Sequence, residues 1–436
     1  MTNRKSNALL AIFFWAVLCL AGLIAGSYAP KGFASSRLAS ADLLPTGNSA
    51  AEIILSADPD ESLPPQQTYE AGLKVIKDRF YGPLPKHPKY NLDMNLTYAA
   101  VSGLLGSLGD RYTRFLTPDE YVALMEENSG EFSGIGAHLD TSKNRIIIVD
   151  TIENSPARKA GLRPADEIIA VNGKSIVGFK VEAAVKLIRG ERGTPVTLSI
   201  RRDKVAKPMV FRIIRDTVPF DTVKTEILPG NIGYLSLSQF NDQSEEEVAK
   251  GLRTLEKKNI RGLIFDLRWN PGGLLDQAVS ITSHFVKPGP VVWIKERGGK
   301  TQSMRTDSSV RRIRPIPLVV LVNKYSASGS EIVAGAVKDT GSGTLVGMKT
   351  WGKGLVQTIA PISADGSAVL ITTHRYYTSG MVDINKKGIE PDIESDVTEA
   401  GFAKYAKSRK LADDEQVQKA LSVIRRQLAD RAASRE

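Results

Sequence analysis

Two short apolar runs that end alike constrain the fold of this chain most. Gly262-Leu263-Ile264-Phe265-Asp266-Leu267-Arg268 and Pro317-Leu318-Val319-Val320-Leu321-Val322-Asn323 are continuous rather than alternating, as strands covered on both faces are. The first breaks at Trp269-Asn270-Pro271-Gly272-Gly273 and the second at Ser326-Ala327-Ser328-Gly329-Ser330-Glu331. Helical spacing follows each break, over 274–285 in one case and through Ile332, Val333, Ala336 and Val337 in the other. A doubly buried strand followed by a helix belongs to a sheet with helices on its faces. A mixed α/β (α+β) core is therefore expected, with both loops at one sheet edge, where such sheets place ligands.

Ser328 would then stand at a strand-to-helix turn, beside amides that the helix N-terminus leaves unbonded and that can hold an oxyanion. A serine hydroxyl is a weak nucleophile until a base takes its proton. Thr350-Trp351-Gly352-Lys353-Gly354-Leu355-Val356-Gln357 sets one lysine in a glycine loop. A lysine can be that base when desolvation or a nearby dipole keeps its amine neutral. Gly352 and Gly354 would let the backbone close around Lys353, and Gln357 could orient the amine without adding charge. Each feature also has a plain reading: serine is a preferred cap, a loop lysine is usually solvated, and Asn-Pro-Gly-Gly is a turn. A rival chemistry, a Ser/His/Asp hydrolase, would draw on His87, His138, His284 or His374.

Jointly, Ser-Ala-Ser-Gly-Ser-Glu-Ile from Ser326 and Thr-Trp-Gly-Lys-Gly-x-Val-Gln from Thr350 resemble the two catalytic motifs of the carboxy-terminal processing peptidases, or tail-specific proteases. The Asp-Leu-Arg-x-Asn-Pro-Gly-Gly string from Asp266 and the string around Asp110 to Pro118 are also similar to that family. The resemblance implies a serine endopeptidase with Ser328 as nucleophile, Lys353 as base and Gln357 as the residue that orients it. It implies oxyanion donors at Gly329 and at Gly272 or Gly273, an acyl-enzyme intermediate, and cleavage of exported proteins near their C-termini. Gly329 departs from the pattern, standing where the family usually has alanine, and would loosen the turn. No cofactor or metal is expected. Cys19 is the only cysteine, so disulfide and cysteine-nucleophile chemistry have no place in the body of the chain.

Ahead of this core, Gly130 to Ala137 open a run of short strands, followed by Asn154-Ser155-Pro156-Ala157 and Asp166-Glu167-Ile168-Ile169-Ala170-Val171-Asn172-Gly173. Over about a hundred residues the pattern resembles a PDZ domain. A helix expected over 179–188 puts Val181, Ala184, Val185 and Ile188 on one face, as the wall of a peptide groove or as packing on the sheet. Successive amides at Ser133, Gly134, Ile135 and Gly136 suit a peptide's terminal carboxylate, with the bound tail added as a strand. Arg189, at the helix end, is a candidate sensor of that tail or simply a solvated arginine. The rival of another class is an inactive PDZ scaffold that only binds tails.

Arg4 and Lys5 precede an uncharged stretch over 8–26, long enough to span a bilayer. The positive-inside rule then places the remainder on the extracytoplasmic side of the cell envelope. An uncleaved single-pass anchor is the preferred reading over a signal peptide cleaved near Ala25 to Ala29, which would secrete the chain. The expected organisation is an anchor at 1–30, a flexible linker at 31–67, a helical segment at 68–129, the PDZ domain at 130–217, the protease core at 218–400 and a C-terminal helix at 401–436. Val417, Leu421, Ile424 and Leu428 make a stripe suited to core or to dimer contact, so a homo-oligomer is among the expected partners. Net charge is +10, from 58 basic and 48 acidic residues. The basic residues are dispersed apart from Arg311, Arg312, Arg314 and the tail, and no nucleic-acid signature accompanies them. The expected partners are thus proteins with free C-terminal tails, the membrane through the anchor, and no nucleic acid.

Overall fold

The computed structural model describes residues 64–87, 89–140, 145–362, 364–408 and 410–434. They fall into two compact units, one ending at Phe115 and one beginning at Leu116. In the first, helices α1 (Pro65–Arg79) and α2 (Leu92–Gly106) are joined by a Lys77–Asp93 ion pair of 2.7 Å, and Asn91 caps α2 through the Met94 amide. Helix α1 begins three residues inside the stretch expected as linker.

The second unit opens with α3 (Pro118–Ser129), started by a Thr117/Glu120 capping box and stopped by Gly130 at φ 72°. Strands β1 (Glu131–Gly134), β2 (Ala137–Asp140), β3 (Ile146–Thr151) and β4 (Glu167–Val171) precede α4 (Val181–Ile188), and β5 (Pro195–Arg201), β6 (Met209–Ile214) and β7 (Asp216–Pro219) follow it. The sheet order is β2-β3-β4-β5-β6, and β1 pairs antiparallel with β7. The expected boundary at 217 thus falls inside a strand. Ile148, Ile168, Ala184, Ile188, Leu198 and Ile200 fill this module's own core.

Beyond it come β8 (Val223–Leu228), β9 (Ile232–Leu237), α5 (Ser244–Lys257), β10 (Gly262–Asp266), α6 (Leu275–Ser283), β11 (Pro290–Glu296) and β12 (Thr301–Arg305). They are followed by β13 (Leu318–Val322), α7 (Gly329–Asp339), β14 (Thr344–Gly347), β15 (Leu355–Ile362), β16 (Ser367–Tyr377), β17 (Ile393–Glu394) and α8 (Glu415–Ala433). The main sheet runs β8-β9-β10-β13-β14-β17, parallel from β9 onward. Its two buried strands split their side chains as expected. Leu263, Phe265, Leu318, Val320 and Val322 face α5, α6 and α7, whereas Ile264, Val319 and Leu321 face α8. Val417, Leu421 and Ile424 of α8 are buried there, at about 1.5–3 kcal/mol each, so core contact is what the C-terminal stripe supplies. In a second sheet β15 and β16 form a hairpin, and β16 also pairs with β11.

One expectation is corrected here. No helix among the described residues is long and apolar enough to cross a membrane, so the single-pass membrane anchor is not sustained. The stretch 8–26 on which it rested lies outside the described residues. In the basic cluster, Arg311 pairs with Glu256 at 2.5 Å and Arg314 donates to the Ile260 carbonyl.

Candidate active site

Adjacent parallel strands β10, β13 and β14 bring three loops to one sheet edge, 267–273, 323–328 and 348–354. Hydrogen bonds lock them together. Ser326 Oγ donates to the Leu267 carbonyl (2.8 Å), the Ala327 amide and Ser330 Oγ both donate to the Asn270 carbonyl (3.1 and 2.9 Å), and the Trp351 amide donates to the Ser326 carbonyl (3.1 Å). Gly272, at φ 103°, lies so close to the Ser328 turn that a methyl group on it would sit 2.7 Å from Ser328 Cβ and 2.8 Å from the Gly329 nitrogen. Only glycine fits there.

Ser328 itself has φ 53° and ψ −112°, a conformation that costs a non-glycine residue about 1–3 kcal/mol. Its amide is held by the Glu331 carboxylate, and its carbonyl accepts from Tyr376 Oη at 3.2 Å. Glu331 is fully buried and is the residue the sequence reading missed. One oxygen accepts from Thr350 Oγ1 (2.5 Å) and the Gly352 amide (2.6 Å). The other accepts from the amides of Ser328 and Lys353, both at 2.9 Å. Burial pushes this carboxyl above its ordinary value, against the pull of the four donors. The signal for it was present: Glu331 stands three residues after Ser328, the spacing of a capping box.

Lys353 is half-buried, between two buried glycines. A methyl on Gly352 would meet the backbone nitrogens of Gly388 and Lys387 at 2.8 and 2.9 Å, and one on Gly354 would meet Asn385. Close approach is thus what these glycines provide. Gln357 follows a register shift in the β15–β16 pairing and donates from Nε2 to Thr372 Oγ1 at 3.3 Å. Of the two candidate glycine donors, Gly272 already gives its N–H to Asn270 Oδ1 at 2.9 Å. Gly329 is accommodated against the buried Phe240 ring, which would stand 3.0 Å from an alanine methyl at this position.

In the strand module, Ser133, Gly134, Ile135 and Gly136 turn from β1 into β2. The loop is anchored through its carbonyls, Ile135 accepting from the Ala157 amide (2.7 Å) and Gly136 from the Ile152 amide (3.0 Å) and Ser155 Oγ (3.0 Å). The Ser133 amide is not open as expected; it donates to Glu126 Oε1 of α3 at 3.3 Å. Glu126 Oε2 lies 3.6 Å from Arg189 Nη1, and that guanidinium sits 4.8 Å over the Phe132 ring. Ser133 Oγ is buried without a hydrogen-bond partner.

Of the histidines, only His374 lies beside the site, opposite Val356 in the β15–β16 hairpin. His284 bonds the Arg311 carbonyl and Glu245, His374 bonds Thr373 Oγ1, His87 stacks on Tyr90, and His138 lies on β2 opposite Asp150. Among the described residues no cluster of His, Cys, Asp and Glu could hold a metal ion.

Peptidase family S41 matches residues 231–395, and the PDZ domain matches residues 147–202. The carboxy-terminal processing protease CtpA of Bacillus subtilis is 37% identical over 72% of this chain and 66% of its own length. The carboxy-terminal-processing protease of Bartonella bacilliformis is 38% identical over 69% of this chain and 70% of its own. Against the first of these the chain spans just under two thirds of the relative's length. A candidate S41 protease of Bacteroides fragilis, known from its crystal structure, shares the fold with a TM-score of 0.50 at 17% identity, over 84% of this chain and 99% of that one.

Proposed function

Because this chain belongs to the carboxy-terminal processing proteases of peptidase family S41, a family of serine-type peptidases, we propose that it is an endopeptidase working through a Ser328/Lys353 dyad on the C-terminal tails of protein substrates. The observation that carries the reading is Glu331, whose one oxygen takes the amides of both Ser328 and Lys353 and so ties nucleophile loop to base loop. Ser328 Oγ attacks the scissile carbonyl while its proton passes to the neutral Lys353 amine. The resulting ammonium protonates the leaving amine, and water activated by Lys353 then hydrolyses the acyl-enzyme. Gln357 orients the amine in this reading.

The developing oxyanion is assigned to the amides of Gly329, at the first helical position of α7, and Gly273. Gly273 is preferred because the Gly272 N–H is engaged by Asn270. Substrate recognition is assigned to 130–217 and the chemistry to 218–400. The tail carboxylate would bind at Ser133 to Gly136, where the unpartnered Ser133 hydroxyl supports a missing polar partner. Arg189, already paired with one carboxylate at Glu126, is the proposed sensor of an incoming one.

The test compares one unstructured peptide with a free and with an amidated C-terminus, against the parent protein and Ser328→Ala. Cleavage of the free form, weaker binding and slower cleavage of the amidated form, and none in Ser328→Ala are expected. Equal handling of both forms would remove the tail-recognition step, and cleavage by Ser328→Ala would remove the nucleophile.

A further inference from the structure

We infer that the stacked pair Trp269/Tyr325 is a substrate subsite that takes an aromatic side chain flanking the scissile bond, an inference that rests on the protease reading above. The two rings lie 4.3 Å apart at 18°, and Trp269 is 40% exposed. Trp269 precedes Gly272 by three residues, and Tyr325 precedes Ser328 by three, so the pair rises from the two loops whose backbones meet at the nucleophile. A single buried side chain sets both rings in place: Asn323 Oδ1 accepts from the Trp269 amide at 3.1 Å and from the Tyr325 amide at 3.0 Å.

The backbone of Trp269 is what packing alone does not account for. Its φ of 66° lies in the left-handed region, which glycine adopts freely and a bulky residue adopts only where its surroundings impose it. A half-exposed indole there adds little to a core. Such outliers gather at binding sites, where a strained residue presents a fixed surface. The surface presented is an aromatic stack, with the Lys324 ammonium 5.3 Å from the Tyr325 ring centre. Flat π surfaces favour aromatic rings in offset or edge contact, so a phenylalanine or tyrosine of the substrate is the matching chemistry.

The experiment moves a single phenylalanine along the positions around the scissile bond of one peptide, with glycine as the reference residue, and measures kcat and KM for the parent protein and Trp269→Gly. In the parent, one position should favour phenylalanine over glycine by about tenfold in kcat/KM, mostly through KM. In Trp269→Gly that preference should fall to about twofold or less, while Tm stays equal or rises because glycine relieves the left-handed strain. The inference is overturned if the parent shows no preference at any position, if the preference survives in Trp269→Gly, or if Tm falls and all peptides lose activity equally. If the parent cleaves no peptide at all, the protease reading fails instead, and the two failures stay distinct.

Discussion

Two glycine-bearing loops are each held by a glutamate from a helix, Glu331 of α7 and Glu126 of α3, and the two glutamates differ in commitment. Glu331 is sealed from water and accepts four hydrogen bonds from two segments of the chain, the Ser328 turn and the 350–353 loop. Glu126 keeps 28% of its side chain exposed, accepts one amide at 3.3 Å and stands 3.6 Å from Arg189. A fully satisfied buried carboxylate fixes its surroundings, because any partner lost leaves a buried polar group unpaired. A loosely held, partly exposed pair contributes little and yields to a competitor. The Ser328 turn is thus locked, while on the proposed reading the loop at Ser133 to Gly136 carries an occupant that a substrate carboxylate would displace.

The largest effect that would break this comparison lies at the base. Lys353→Arg keeps the charge and the backbone contacts to Glu331 but cannot accept a proton, so turnover should fall by about 10²–10⁴-fold with folding retained. Steady-state cleavage and circular dichroism together check this, and near-normal turnover would remove Lys353 from its role. In the parent protein the rate should climb with pH as the neutral amine forms.

Next comes Glu331→Gln, whose amide nitrogen must face two donors that an oxygen accepted before. We expect kcat to drop by about 10²-fold with KM nearly unchanged, the equivalent of one or two charge-assisted hydrogen bonds. The same variant should alter stability against pH. Burial raises the folded-state pKa of Glu331, so the folded form holds that proton to higher pH than the unfolded form does. Its stabilising contribution is therefore complete at acid pH and is lost as pH rises from the ordinary carboxylate range through the raised value. Denaturation curves at several pH values should show that slope in the parent and a flatter one in the variant.

The smallest effect sharpens the other side. Glu126→Ala removes the half-buried competitor and should tighten binding of a free-tailed peptide by about two- to fivefold, in line with the worth of a solvent-accessible ion pair. Fluorescence anisotropy would measure it. Weaker binding would show that Glu126 supports the tail site instead of occupying it.

Sequence alone made the core legible wherever pattern and burial coincide. The runs ending at Arg268 and Asn323 are strands, their loops meet at one edge, and the C-terminal stripe is core. What it hid are contacts that close only in three dimensions. Arg268 joins Asp266 to Asp414 and Gln416, at the start of α8 nearly 150 residues later, and no local spacing announces that network. Glu331 was visible as a cap, but its partners at 350–353 belong to another loop. The Asn270 bond that withdraws the Gly272 amide was readable in principle, since asparagine often bonds the amide two residues on.

The central claim, that Ser328 is made nucleophilic by Lys353, is tested most directly by locating the adduct of a serine-reactive probe by mass spectrometry in the parent protein and in Lys353→Ala. The account predicts one adduct, on Ser328, forming at least about a hundredfold more slowly in Lys353→Ala. An adduct on another residue, or equal labelling of Ser328 in both proteins, would contradict it.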